Sequence, residues 1–223
     1  MLKTPTIVLN VKTYDEATGS NALKIAKLMD KVGDETGVSM AIAVQATDIT
    51  LCANEVKIPV FAEHIDPIKP GSHTGWTLPE AVKSAGATGT LINHSEHRLI
   101  LADVDVCITR AKELGLDHIV CSNNVSTSKA IAAFAPNFVA VEPPELIGGD
   151  ISVTTANPKI VSDSVAVVKN IDKNVGVLCG AGVKNGKDVA KSIELGADGV
   201  LLASGIVKAK NQEEVIRDLA SGV

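Results

Sequence analysis

Along the chain, short apolar runs rich in Val, Ile, Leu and Ala alternate with longer stretches whose apolar residues return every three or four positions. The short runs at 6–11, 39–44, 58–62, 90–93, 118–121, 138–142, 175–179 and 199–202 predict eight strands. Between them, SNALKIAKLMDKVGDETG, DVDVCITRAKELG, NPKIVSDSVAVVKN, NGKDVAKSIELG and NQEEVIRDLAS carry the helical period. Several helices end on glycine and enter the next strand after a few polar residues, as in ELGLDHIV and ELGADGVLL, the punctuation expected of αβ loops. Eight βα units favour an α/β fold closed into a (β/α)8 barrel over an open doubly wound sheet. The third unit differs. After Ala62 the chain runs EHIDPIKPGSHTGW before a short helix from about Leu78, which predicts a long functional or interface loop. No linker or low-complexity tract interrupts the pattern, so residues 1–223 are expected to form a single domain.

Composition sharpens this picture at three points. Only three Phe, one Trp and one Tyr accompany a 45% hydrophobic content, which suits parallel strands covered by helices rather than a β-sandwich. Lys and Arg number 21 against 26 Asp and Glu, a net charge of −5, and no basic block is present to grip a phosphate backbone; this argues against a nucleic-acid partner. Cys52, Cys107, Cys121 and Cys179 are widely spaced with no CxxC pair, and are read as reduced thiols of a cytoplasmic protein. MLKTPTIVLN leads straight into a strand-like run, and no stretch of eighteen apolar residues occurs. No export signal or membrane association is expected.

In such a barrel the reactive groups project from the C-terminal ends of the strands. Asn10 and Lys12 stand at the end of the first predicted strand, His94 follows the fourth in INHSEHR, and Glu142 ends the sixth in VAVEPPELIGGD. Taken singly, each has an ordinary explanation: Lys as a solvated cation, Asn as a turn former, His as a structural residue. Glu142 is harder to set aside, because it closes the apolar run FVAVE and precedes two prolines that fix the backbone direction. CGAGVKNG and LLASGI follow the seventh and eighth strands, where phosphate barrels present backbone N–H groups to an anion.

Together these residues resemble the triosephosphate isomerase family in its short archaeal form. The resemblance is carried by Asn10-Val11-Lys12, His73-Thr74-Gly75, His94-Ser95-Glu96 with Arg98, Glu142-Pro143, the segment EPPELIGG and the CSNN after the fifth strand, in the family's order across the whole chain. It implies a TIM barrel that interconverts dihydroxyacetone phosphate and glyceraldehyde 3-phosphate through an enediolate, without metal or organic cofactor. It further implies Glu142 as catalytic base, His94 as electrophile, Lys12 as the cation facing substrate, Asn10 as a polar neighbour and Glu96 as a supporting partner. Gly148, the run Gly180, Ala181 and Gly182, and the pair Ala203 and Ser204 would bind phosphate through backbone N–H groups. A neutral histidine electrophile and a closing lid are familiar patterns of this family rather than properties read from these residues. The stretch from Pro143 to Asn157 has a lid's layout, although IGGD stands where the family usually reads IGTG, which places Asp150 near the phosphate. The resemblance also implies a homo-oligomer, dimer or tetramer, joined through the loop from His64 to Trp76.

The chemistry fits the residues. Moving a proton between adjacent carbons requires one base, donors for the developing oxyanion and a dry site. His94 just ahead of a helix is expected to stay neutral beside that helix's N-terminal N–H groups. A metal-dependent epimerase would instead show two His and two Asp at strand ends, and His64, His73, His97 and His118 do not fall at four such ends. A barrel that binds a phosphate metabolite without catalysis would share this fold, and what argues against it is the joint presence of base, electrophile and cation.

Overall fold

Eight parallel strands pair in chain order, and the last closes onto the first with Thr6 opposite Gly199. They are β1 (Thr6–Asn10), β2 (Ser39–Val44), β3 (Val60–Ala62), β4 (Gly89–Ile92), β5 (Asp117–Ser122), β6 (Phe138–Val141), β7 (Gly176–Gly180) and β8 (Gly199–Leu202). The computed structural model describes residues 1–146 and 152–223. Among these residues the barrel is wrapped by α1 (Ser20–Thr36), α2 (Ile49–Ala53), α3 (Pro79–Ser84), α4 (Leu101–Leu114), α5 (Val125–Ala132), α6 (Val153–Ala156), α7 (Pro158–Ile171), α8 (Gly186–Glu194), α9 (Ser204–Val207) and α10 (Gln212–Ala220).

All eight predicted strands are present, and the differences lie at their ends. Val11, Asn93 and Glu142 fall outside β1, β4 and β6; the chain turns at Lys12 and Asn93, which both adopt positive φ. β3 begins at Val60 rather than residue 58, since Pro59 has no N–H for the ladder, although its carbonyl accepts from Ile42 N–H at 3.1 Å.

Alternate strand residues divide between two cores. Val8, Ala41, Ala43, Phe61, Leu91, Ile119, Cys121, Phe138, Ala140, Leu178 and Leu201 pack in the lumen with Leu2. Ile7, Leu9, Ile42 and Val139 instead meet the inner faces of the helices, such as Val161 and Val168 of α7. Two of the three phenylalanines thus fill the barrel, where glycine makes room for them. A Cβ at Gly89 would lie 2.4 Å from the Phe61 ring, and one at Gly176 would lie 2.3 Å from Phe138.

All four cysteines are free and buried. No helix among the described residues is long and apolar enough to cross a membrane.

Candidate active site

The strand ends bring Asn10, Lys12, His94 and Glu142 together at one mouth of the barrel, in a cleft also lined by Tyr14, Ala181, Gly182, Lys184, Ala203 and Ser204. Backbone strain concentrates there. Of the four non-glycine residues with positive φ among those described, Lys12 (54°), Asn93 (62°) and Ala181 (74°) belong to or adjoin this mouth; a left-handed non-glycine residue costs on the order of 1–2 kcal/mol. Local hydrogen bonds offset part of that cost. Lys12 N–H donates to Asn10 Oδ1 at 3.1 Å, while the Asn93 side chain donates to Cys121 O at 3.0 Å and accepts from Leu99 N–H at 2.9 Å. Asn10 therefore holds the Lys12 turn, and Asn93 clips the loop after β4 that carries His94.

His94 is buried, and Glu96 N–H donates to its Nδ1 at 3.2 Å. The neutral ring then carries its proton on Nε2, which lies 3.6 Å from Glu142 Oε2. The expected donor was the N-terminus of a following helix, but α4 starts only at Leu101. An amide in the intervening turn occupies that position instead, and it acts as a direct hydrogen-bond donor rather than through a helix dipole. Glu96 also accepts from Lys12 Nζ at 2.9 Å, and only 11% of the lysine side chain is exposed.

Glu142 is buried, and its Oε2 has no hydrogen-bond partner among the described residues. Its stem lies over Gly180, where a Cβ would come within 2.5 Å of Glu142 Cγ. Gly180 thus makes room for the carboxylate and stands apart from the cleft-lining residues, whereas Ala181 and Gly182 line the cleft. Cys121 of β5 sits beneath the carboxylate; burial, reinforced by the Glu142 charge and a hydrogen bond to it, pushes that thiol well above its ordinary range.

Ala203 and Ser204 lead into α9, whose backbone bonds begin with Ile206 N–H to Ala203 O at 3.2 Å. The amides of Ser204 and Gly205 precede that first bond, and both residues line the cleft. Gly148 and Asp150 lie outside the described residues. The span from Pro143 to Asn157 is described only at its two ends. At the far end Ser152 caps α6, and Val153 N–H donates to Ala181 O at 3.1 Å.

In the long third loop, His64 stacks on His97 with ring centroids 4.1 Å apart and bonds Asp66 through Nε2 at 3.0 Å. Burial lowers the His64 pKa against the pull of Asp66. Trp76 is 54% exposed and has His73 as a ring neighbour.

Sequence reasoning missed Glu63, which follows β3 and shares a cleft with Lys12, His94 and Glu96. The signal was available, since VFAE ends on a carboxylate at a strand end just as FVAVE does. Tyr14 was also missed; it lines the cleft and carries Lys208 Nζ 4.5 Å above its ring. A concavity of about 1000 Å³ opens at the opposite mouth beside Met1, Asp30 and Val38. It is an open depression, away from the strand ends where the reactive groups converge. Among the described residues no group of three or more His, Cys, Asp or Glu is placed to hold a metal ion.

These features define an enzyme of the (β/α)8-barrel class with its site at the C-terminal ends of the strands. The sequence profile of the triosephosphate isomerase family matches residues 5–219. A triosephosphate isomerase of Methanocaldococcus jannaschii is 55% identical over 213 residues, covering 96% of this chain and 97% of its own. That of Methanobrevibacter smithii is 52% identical over 220 residues, 99% of each chain, and that of Methanosarcina barkeri is 51% identical over 215 residues, 96% of this chain and 97% of its own. The chain belongs to the triosephosphate isomerase family.

Proposed function

We propose that this protein interconverts dihydroxyacetone phosphate and glyceraldehyde 3-phosphate, a step shared by glycolysis and gluconeogenesis, with Glu142 as the single proton shuttle. Beyond family membership, the observation that carries this reading is the convergence of a buried carboxylate, whose Oε2 has no hydrogen-bond partner among the described residues, on an imidazole Nε2 at 3.6 Å, with a lysine ammonium in the same cleft. Glu142 takes the proton from the hydroxymethyl carbon. The C–H electrons form the carbon–carbon double bond, and the carbonyl π electrons move onto oxygen. His94 donates to that oxygen through Nε2–H, and the Lys12 ammonium stabilises the charge, in a water-poor site where such interactions are strong. Returning the proton from Glu142 to the neighbouring carbon, with the hydroxyl proton passed between the two oxygens, gives the aldehyde.

The amides around Ala181–Gly182 and Ala203–Ser204 hold the phosphate in this reading, and the family resemblance adds Gly148 as a further phosphate contact. Gly180 contributes through the space it leaves for Glu142. The protein acts as a homo-oligomer through the loop from His64 to Trp76 and works in the cytoplasm, in keeping with its four unpaired thiols.

The test is a coupled isomerisation assay joined to solvent-deuterium incorporation into substrate. Glu142→Gln keeps the shape and removes the base, so kcat should fall by at least about 10²–10⁴-fold while the fold persists. Glu142→Asp withdraws the carboxylate by about 1 Å and should cost roughly a hundredfold. A folded Glu142→Gln protein that still exchanged the substrate proton at near wild-type rate would transfer the role of base to another residue.

A further inference from the structure

We propose that His64 is a positioning residue for the isomerase reaction: stacked on His97, it fixes the outer end of the turn that carries His94 and Glu96. The inference rests on the role given to His94 above.

His97 N–H donates to His94 O at 2.9 Å, closing a four-residue turn with His94 first, Glu96 third and His97 last. Within it, Glu96 N–H donates to His94 Nδ1 at 3.2 Å, and the Glu96 carboxylate pairs with Lys12 Nζ at 2.9 Å. A small rotation of the turn therefore moves the electrophile and the partner of the lysine together. Asn93 clips the base of this loop by accepting from Leu99 N–H at 2.9 Å. The tip is another matter, because Glu96 and His97 are both exposed. It is reached from the third loop by the His64 ring, which lies on the His97 ring with centroids 4.1 Å apart and planes 20° from parallel.

His64 can serve as a support because its own place is fixed. Glu63 N–H donates to Val44 O at 3.2 Å, and the carbonyl of buried Ile65 accepts from Cys107 Sγ of α4 at 3.4 Å, so the backbone on either side is tied down. The ring is oriented by Asp66, whose Oδ1 lies 3.0 Å from His64 Nε2. An ionised carboxylate can only accept, so that nitrogen carries a proton whether the ring is neutral or charged. The other oxygen of Asp66 accepts from Thr77 N–H at 2.6 Å, and Asp66 N–H donates to Thr77 O at 2.9 Å. These bonds clasp the third loop at its base, and the same carboxylate that closes the clasp aims the His64 ring at His97. The stack requires two flat rings rather than two imidazoles. It can therefore be removed or kept by choice of side chain.

The experiment measures kcat and KM for glyceraldehyde 3-phosphate in the wild type, His64→Ala, His97→Ala, the double variant and His97→Phe. His97 lies outside the third loop, so His97→Ala keeps the Asp66 clasp and tests the stack even where His64→Ala disturbs that loop. Each alanine variant should lower kcat about tenfold, since a displacement of about 1 Å costs on the order of a hundredfold and a loosened turn moves less. KM should change by less than about threefold, because phosphate is held by the loops after β7 and β8. The double variant should be no slower than either single one, as both remove the same contact. His97→Phe keeps a flat ring and should stay within about threefold of the wild type. Imidazole nitrogen NMR supplies a readout besides rate. The His94 Nδ1 resonance, identified by its absence from His94→Gln, should move toward that of a nitrogen without a hydrogen bond in both alanine variants and hold its place in His97→Phe. Wild-type kcat in His97→Ala, a rise in KM in place of the fall in kcat, single effects that multiply in the double variant, or an unmoved Nδ1 resonance overturns the proposal. A wild type that binds phosphate but does not isomerise overturns the functional reading instead, and the Nδ1 resonance, which needs no turnover, keeps the two failures distinguishable.

Discussion

Lys12, Asn93 and Ala181 hold a backbone conformation that their side chains disfavour, and the strain is retained because it aims neighbouring groups at one cleft. Gly180 acts in the opposite way, through the side chain it lacks. Gly180→Ala would place a methyl group 2.5 Å from Glu142 Cγ. The flexible glutamate should yield, and a displacement of about 1 Å should lower kcat roughly a hundredfold. Thermal unfolding and the affinity for a phosphate-bearing enediolate mimic should change little; a large loss of affinity would mean that the loop after β7 had moved instead. A half-buried carboxyl and a buried imidazole should also bound stability from opposite sides. The folded value of Glu63, about 8, lies above that of the unfolded chain, so its contribution is full below the unfolded value and is lost as pH rises through about 8. Burial lowers the His118 pKa, and its Nε2 has no partner among the described residues. Its contribution is full above the unfolded value of about 6.5 and is lost as pH falls toward the folded one. Melting curves from pH 5 to 9 should therefore flatten on the alkaline side in Glu63→Gln and on the acid side in His118→Gln.

At the scale of elements, the sequence pattern shows what is long and periodic. All eight strands and the helices α1, α4, α7, α8 and α10 are legible because burial imposes a period on them. Four- and five-residue helices such as α2, α6 and α9 are too short to display one, and in α5 the serines and threonines of VSTSKAIA dilute it. For the site, strand-end position made Lys12, His94 and Glu142 readable. The service of Gly180 to Glu142, and the grip of Asn93 on Cys121 and Leu99, depend on which strands become neighbours, and no local pattern records that. The hydrogen bond from Val153 to Ala181 is of the same kind, since it ties the start of α6 to the loop after β7. A saturating enediolate mimic should therefore slow amide exchange at 152–156 and 181–184 together, as measured by mass spectrometry. Protection of one segment without the other would show that the two ends are not coupled through this bond.

At the scale of the whole molecule, the exposed apolar surface is uneven. Trp76 is 54% exposed at the tip region of the third loop, and Ile100 and Leu101 are 68% and 54% exposed at the start of α4. A tryptophan packed on its own barrel would show far less surface, and its ring neighbour here is His73 of the same loop, with centroids 5.9 Å apart. An indole left in water forgoes burial worth about 2–3 kcal/mol, which a second copy of the chain would supply. Trp76→Glu should therefore put an unpaired charge into the contact between copies, at a cost of about 3–5 kcal/mol, and weaken assembly by roughly two to four orders of magnitude. Light scattering at micromolar concentration should then find monomers, with the barrel's circular dichroism retained. Leu101→Glu tests the other surface: it should leave a dimer intact and dissolve only a larger assembly that uses the outer face of α4. If Trp76→Glu left the oligomer unchanged while Leu101→Glu produced monomers, the joint between copies would lie on α4 and the third loop would not be the interface.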